Sequence, residues 1–330
     1  MIDPEIAQML QAMQDAGEPP LFLEVTATEA RRRGVNVRNK YYPPVLHHVA
    51  RVDERSIPGP GGDIPIRVYW PEHNALGATV VFFHGGGWII GDLDSHDGHA
   101  RRLAHTIGAV VVHVGYRLAP EHPFPAGYDD CVAAITWVHE HVDELGGRRD
   151  KVAVAGDSAG GNLAAVVAQH CRDTDLPLAA QLLIYPPTDL QGGLNGRYDQ
   201  QVAADEAGDE VDERDEGEGF FTGQDDWVER QYLGGDLSQT ADPRVSPLLA
   251  QDLTNLPPTV IGIGSHDFLH LQALAYAEAL QGSGVSTLLR EYPDLIHGFF
   301  GMGGISGSAE RASDQLTRDL RELLADTPNS

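Results

Sequence analysis

The sequence predicts an α/β fold with a mostly parallel central sheet, helices covering both of its faces, and a helical cap. Three observations predict it. Short apolar runs rich in β-branched residues recur along the chain, amphipathic helical stretches separate them, and two longer segments break the alternation.

Taken in order, the chain opens with a stretch reaching about Pro44 that places Ile6, Leu10 and Met13 on one helical face, so residues 1–44 read as an N-terminal cap segment. The turn-rich run Pro58 to Asp63 predicts a hairpin that enters the sheet from an edge. Strands are predicted at Ile64 to Tyr69, Thr79 to Phe83 and Ala109 to Val114. A helix is predicted over Asp129 to Leu145, because Val132, Ile135, Val138 and Val142 form one apolar stripe and Gly146-Gly147 ends it. Strands at Val152 to Gly156 and Ala180 to Tyr185 complete the first part of the core, residues 45–187. Residues 188–235 form a second, acidic cap segment, in which a charged run is followed by Phe220, Phe221, Trp227 and Tyr232. The core resumes over residues 236–330 with strands at Thr259 to Gly264 and Thr287 to Tyr292, and a last helix whose apolar stripe is Ala312, Leu316, Leu320 and Leu323.

Composition narrows the function. With 330 residues of which 42% are apolar, the chain buries a substantial core and is not disordered as a whole. Its longest apolar runs fall far short of the ~20 residues that cross a bilayer. The acidic N-terminus, without a basic start or apolar middle, places the protein in the cytoplasm. A net charge of −26 argues against nucleic acid as a partner, since phosphate contacts need clustered Lys and Arg. Ten acidic residues lie between Asp199 and Glu218 with only Arg214 among them, yet −17 of the charge lies elsewhere. With 21 Arg and two Lys, this acidic, Lys-poor composition suggests a halophilic protein; a generically acidic protein is the plainer reading. The two cysteines, Cys131 and Cys171, sit in apolar helical patterns and read as buried free thiols.

The chemistry concentrates in four places. Gly156-Asp157-Ser158-Ala159-Gly160-Gly161 runs from a strand into a helix, the context in which G-x-S-x-G makes a nucleophile elbow rather than a chance match. His84-Gly85-Gly86-Gly87-Trp88 follows another strand and supplies amides unobstructed by a Cβ. Acyl transfer needs such donors, because one oriented N–H contributes roughly 3 kcal/mol to the barrier when negative charge develops on the carbonyl oxygen. The oxyanion hole is read as Gly86 and Gly87 with Ala159, Gly85 shaping the loop beside them. A serine hydroxyl also needs a base, and the base a carboxylate. Asp267 and His297 each lie just beyond a strand and complete the order Ser158, Asp267, His297. Asp157, Asp252 and Asp294 are the weaker carboxylates. Trp88 and Phe221 are expected to close a substrate pocket.

Other patterns carry less. His96 and His99 stand on a polar helix start with no third ligand in view, His47-His48 offers no more, and no metal is expected. Gly301-Met302-Gly303-Gly304 follows no strand directly, so no dinucleotide fingerprint is read and no cofactor is expected.

Together these motifs resemble the hormone-sensitive-lipase-like esterases of the α/β-hydrolase superfamily, the bacterial group carrying H-G-G-G and G-D-S-A-G-G. Tyr116-Arg117-Leu118-Ala119-Pro120-Glu121, Asp242-Pro243-Arg244-Val245-Ser246-Pro247-Leu248 and Ile296-His297-Gly298-Phe299 extend the resemblance over nearly the whole chain. It implies the α/β-hydrolase fold and a cofactor-free serine carboxylesterase for small-molecule esters of short to medium acyl chain, with Ser158, Asp267 and His297 as the triad. A homodimer is compatible with it. Two departures stand out: Asp267 is followed by Phe268-Leu269-His270 instead of the usual Pro-Leu-x-Asp-Glu, and the acidic run is long. An amidase or formamidase with the same triad, and a ligand-binding protein on the same scaffold, remain the alternatives.

Overall fold

The computed structural model describes residues 1–22, 25–191 and 225–326. Among them, eight strands form one sheet: β1 (Arg51–Ile57), β2 (Ile64–Trp70), β3 (Thr79–Phe83), β4 (Val110–Val114), β5 (Val152–Asp157), β6 (Ala180–Ile184), β7 (Thr259–His266) and β8 (Thr287–Ile296). Their order is β1-β2-β4-β3-β5-β6-β7-β8. The pairs β1·β2 and β2·β4 are antiparallel, and every pairing from β4 through β3 to β8 is parallel.

The expected hairpin is present, with Ile57 opposite Ile64 and Arg51 opposite Trp70. Its first strand, Arg-Val-Asp-Glu-Arg-Ser-Ile, has no apolar run, because it is an edge strand largely exposed to water. Arg51 instead lays its guanidinium 3.7 Å from the Trp70 ring centre. Strands β3, β4, β5 and β6 are buried along their whole length, which is why they read as continuous Val, Ile, Ala and Phe runs instead of alternating ones.

The described helices are α1 (Pro4–Asp15), α2 (Ala27–Tyr41), α3 (Asp97–Leu103), α4 (Ala126–His141), α5 (Ala159–Asp173), α6 (Asp225–Tyr232), α7 (His270–Gly282) and α8 (Gly307–Asp326). Asp3 caps α1 by accepting from the Glu5 and Ile6 amides, and Thr26 caps α2 by accepting from Glu29. Helix α1 buries Ile6, Met9 and Met13, leaving Leu10 only partly covered, so the buried face is turned slightly from the expected one. Helix α4 begins and ends earlier than expected; turns replace it after His141, and they still bury Val142 and Leu145. Helix α8 closes its stripe with Leu324, not Leu323. Cys131 and Cys171 are buried free thiols, as expected. None of the described helices is long and apolar enough to cross a membrane.

Two devices hold the functional edge together. Arg31 of α2 forms a bidentate pair with Glu121 at 2.8 and 2.6 Å and donates to the carbonyls of Ile89 and Ala119, docking the N-terminal segment over the ends of the strands. Asn162 of α5 donates to the carbonyls of Pro187 and Val245, so the segment around Val245 braces the helix behind β5.

The fold also buries several imidazoles. Burial holds His84 and His139 down at about 4 and His99 at about 3, against an ordinary value of 6.5, and pushes His113 well below it. Neither ring nitrogen of His113 has a hydrogen-bond partner, nor has Nε2 of His139. These groups are neutral in the folded protein and bind protons first in the unfolded chain. Their contribution to stability is complete above about pH 6.5 and is lost as pH falls toward 4. The melting temperature should therefore decline across that window, and His139→Leu should shallow the decline; a scan of melting temperature against pH that is flat between 6.5 and 4 would contradict this.

Candidate active site

Strand β5 ends at Asp157 and α5 begins at Ala159, leaving Ser158 alone in the turn with φ 53° and ψ −123°, a conformation costly for any residue with a Cβ. The turn closes this tightly because glycine stands on both sides of it. A Cβ on Gly156 would lie 2.0 Å from the Gly160 carbonyl oxygen, and one on Gly160 would lie 2.0 Å from the Phe83 carbonyl oxygen. The Ser158 amide donates to Ile184 at 2.8 Å, and the Ser158 carbonyl accepts from Asn162 at 3.0 Å, fixing the turn against β6 and α5.

The structure brings Ser158, Asp267 and His297 together. Ser158 Oγ is 3.0 Å from His297 Nε2, and His297 Nδ1 is 2.9 and 3.0 Å from the two carboxylate oxygens of Asp267. A carboxylate beside Nδ1 keeps the proton there, so Nε2 presents its lone pair to the serine hydroxyl. Asp267 is held in turn by the Leu269 amide, which donates to Oδ1 at 2.8 Å. Both His297 and Asp267 are buried, and the rings of Tyr185 and Phe268 each pack 4.7 Å from the imidazole, centre to centre. The weaker carboxylates stand apart from His297: Asp157 Oδ1 accepts from the Gly85 amide at 3.0 Å, and Asp252 caps a turn at Thr254.

Beyond β3, the loop His84 to Trp88 turns sharply at Gly86 and Gly87, with φ 118° and 57°. A Cβ on Gly86 would lie 2.3 Å from the Ile90 carbonyl oxygen, so only glycine fits there. Gly85 is not free to donate to a ligand, since its amide is committed to Asp157. His84 stacks on Tyr116 at 4.4 Å and donates Nδ1–H to the Gly85 carbonyl at 2.8 Å, holding the loop from below. The Ala159 amide sits in the first turn of α5, where no intrahelical acceptor is available to it.

A cavity of about 640 Å³ opens onto Ser158 and His297, walled by Phe22 and Val37 of the N-terminal segment with Tyr185, Val228 and Phe268. Trp88 does not line it. Its ring is buried and stacked face to face on Tyr232 at 4.2 Å, so it anchors the loop to α6 and is not a pocket wall. Phe221, the other expected pocket residue, and the acidic run Asp199 to Glu218 lie outside the described residues. The aromatic and apolar walls that sequence reasoning missed come from segments far apart in the chain; Phe268 alone carried a signal, as the departure immediately after Asp267.

The same cavity reaches His96 and His99. They were read as lacking a third ligand, and the structure corrects that: the Asp157 carboxylate joins them, with one ligand atom from each residue all within 4.8 Å of one another. Burial alone would raise Asp157, but His96, His99 and His84 around it hold its carboxyl well below the usual carboxylate range.

A mostly parallel sheet of this order, with a serine elbow after β5, an aspartate after β7 and a histidine after β8, defines an α/β hydrolase. A family profile described as the alpha/beta hydrolase fold matches residues 80–301. Over nearly the whole chain the sequence is 37% identical to the carboxylic ester hydrolase LipN of Mycobacterium tuberculosis, covering 98% of this chain and 84% of that protein. It is 39% identical to the carboxylesterase NlhH of the same organism, covering 97% of each. The hyperthermophilic esterase from the archaeon Pyrobaculum calidifontis superposes with a TM-score of 0.82 at 34% identity, over 98% of this chain and 99% of that one. The chain belongs to the α/β-hydrolase family, in its hormone-sensitive-lipase-like branch, and is a carboxylic ester hydrolase.

Proposed function

We propose that Ser158 is the nucleophile of this esterase, that His297 is its general base and then acid, and that Asp267 orients His297. The unbroken hydrogen-bonded chain from Asp267 through His297 to Ser158, at 2.9 and 3.0 Å, is the observation that carries this reading. As Oγ attacks the ester carbonyl, its proton passes to Nε2, and the negative charge on the former carbonyl oxygen meets the amides of Gly86, Gly87 and Ala159. His297 then returns the proton to the departing alkoxide. Water, deprotonated by the same imidazole, cleaves the acyl-enzyme and regenerates Ser158.

The cavity walls support acyl chains of short to medium length. A volume of about 640 Å³ falls within the usual range for small-molecule sites, and Phe22, Val37 and Phe268 offer apolar area that a chain fills and then exceeds. The division into an N-terminal cap over residues 1–44, a second cap segment over 188–235 and a core between and after them belongs to this reading, with Arg31 as the clasp of the first cap. So does a cytoplasmic location, which the two free thiols favour. Adaptation to salt is its remaining part, supported by the charge of −26 and the scarcity of lysine.

Ser158→Ala and His297→Ala should each abolish ester turnover, while Asp267→Asn should keep a weak residue of it. Near-normal rates in a folded Ser158→Ala protein would remove the mechanism, and mass spectrometry that located an organophosphate adduct on another residue would do the same. On a series of aryl esters, kcat/KM should peak at chains of about four to six carbons; a rise continuing to long chains, with activation at an oil–water interface, would overturn the assignment. Melting temperature should climb from dilute buffer to molar NaCl or KCl, because the Debye length falls from ~10 Å at 0.1 M to ~3 Å at 1 M and screens the repulsion. A melting temperature indifferent to both salts would rule out the halophilic reading.

A further inference from the structure

Where α3 begins, on the floor of the substrate cavity, His96, His99 and Asp157 converge without a role in the acyl-transfer chemistry. We propose that these three residues form a reversible site for a zinc-class divalent ion, and that its occupation inhibits the esterase.

His96 is held on one side by Ser95. Ser95 Oγ donates to the Asp92 carbonyl at 2.9 Å and accepts from the Asp92 amide at 2.7 Å, which leaves it one lone pair for His96 Nδ1–H, 2.9 Å away. The other ring nitrogen of His96, Nε2, faces Asp157 Oδ2 at 3.6 Å. A cation seated between this nitrogen and the carboxylate oxygen would bind both. The spacing is too long for a hydrogen bond, but close to the ~3.3 Å that separates two ligands of a tetrahedral ion with bonds of ~2.0–2.1 Å. Ser95 holds the ring by its other nitrogen, as the outer partner of a metal-bound histidine does.

His99 supplies the second imidazole. Its ring centre is 4.8 Å from that of His96, and the ring lines the same cavity. The three ligand atoms lie within 4.8 Å of one another, and binding an ion requires the side chains to draw together, the His99 ring turning against Phe300 and Phe82 on which it packs. Arg102, whose charge reaches His99, is paired with Glu310 and Asp314. Two nitrogens and one oxygen make a borderline donor set that favours Zn²⁺ or Co²⁺ over Mg²⁺ or Ca²⁺. The remaining position opens to the cavity, so the ion enters by the route of the substrate and a bound water or chloride points back into it.

Inhibition follows from position. Asp157 precedes Ser158, and its other oxygen holds the Gly85 amide at the head of the glycine loop. An ion that draws the carboxylate toward α3 loosens that contact and narrows the cavity beside the nucleophile.

The test uses the full chain stripped with EDTA. Calorimetry with Zn²⁺ should show one tight site, Co²⁺ should give the visible absorption of a tetrahedral ion, and Zn²⁺ should suppress aryl ester turnover until EDTA restores it. His99→Leu, with His96→Gln as a second variant should the first fail to fold, should weaken Zn²⁺ by more than the ~10–100-fold that loss of an outer partner costs. Each variant's response to Zn²⁺ is read against its own metal-free rate. His297→Asn, which is inactive, should bind Zn²⁺ as the unaltered protein does. No stoichiometric binding would leave a protonated His96–Asp157 pair as the whole explanation and overturn the proposal. So would undiminished binding in His99→Leu, loss of binding in His297→Asn, which would move the ion to Ser158 and its partners, or binding with no effect on turnover.

Discussion

The site depends on a backbone-to-backbone contact where β5 turns into α5. Gly156, Gly160 and the end of β3 come so near that a single added methyl would strike a carbonyl oxygen. That contact forces Ser158 into its positive-φ turn and lifts its side chain out of the sheet. It also sets β3 beside the elbow, which aims the glycine loop at the same point, and it starts α5 with its first amide facing that point. The strain is borne by a large surrounding core: β3 to β6 are buried throughout, so the elbow cannot relax without opening the packed centre of the sheet.

Around this contact, the two carboxylates nearest the serine are kept to separate tasks by geometry. Asp267 faces His297 with both oxygens and is steadied by the Leu269 amide. Asp157 faces the other way, one oxygen on the glycine loop and the other toward the imidazoles of α3. A carboxylate ionised next to the nucleophile would oppose the developing oxyanion if it faced the substrate. Its amide contact and the imidazoles around it turn that charge away from the reaction and use it to hold the loop.

The N-terminal segment supplies part of the cavity wall. Phe22 and Val37 wall the cavity, and Arg31 ties their segment to the core through Glu121 and two carbonyls. The core beneath it supplies the reacting groups whether or not the cap changes.

What the sequence by itself determined was whatever depends on local periodicity or on a short motif in its strand-to-helix context. The parallel strands, the hairpin turn at Pro58 to Asp63, the elbow at Ser158 and the placing of Asp267 and His297 after their strands were all legible, because burial on both sheet faces writes continuous apolar runs and a tight turn writes glycines. Strand β1 was not, since an exposed edge imposes no apolar pattern on Arg51 to Ile57. Nor was the exact stripe of α8, where Leu323 and Leu324 are equally apolar and only the neighbouring sheet chooses between them. Tertiary structure alone decided that Trp88 stacks on Tyr232 away from the cavity, that Phe22 and Phe268 both wall it, and that Asp157 turns toward His96 and His99. Each of these joins residues from separate elements, and the distance between such residues is set by how the sheet twists and the helices pack, which no local pattern encodes.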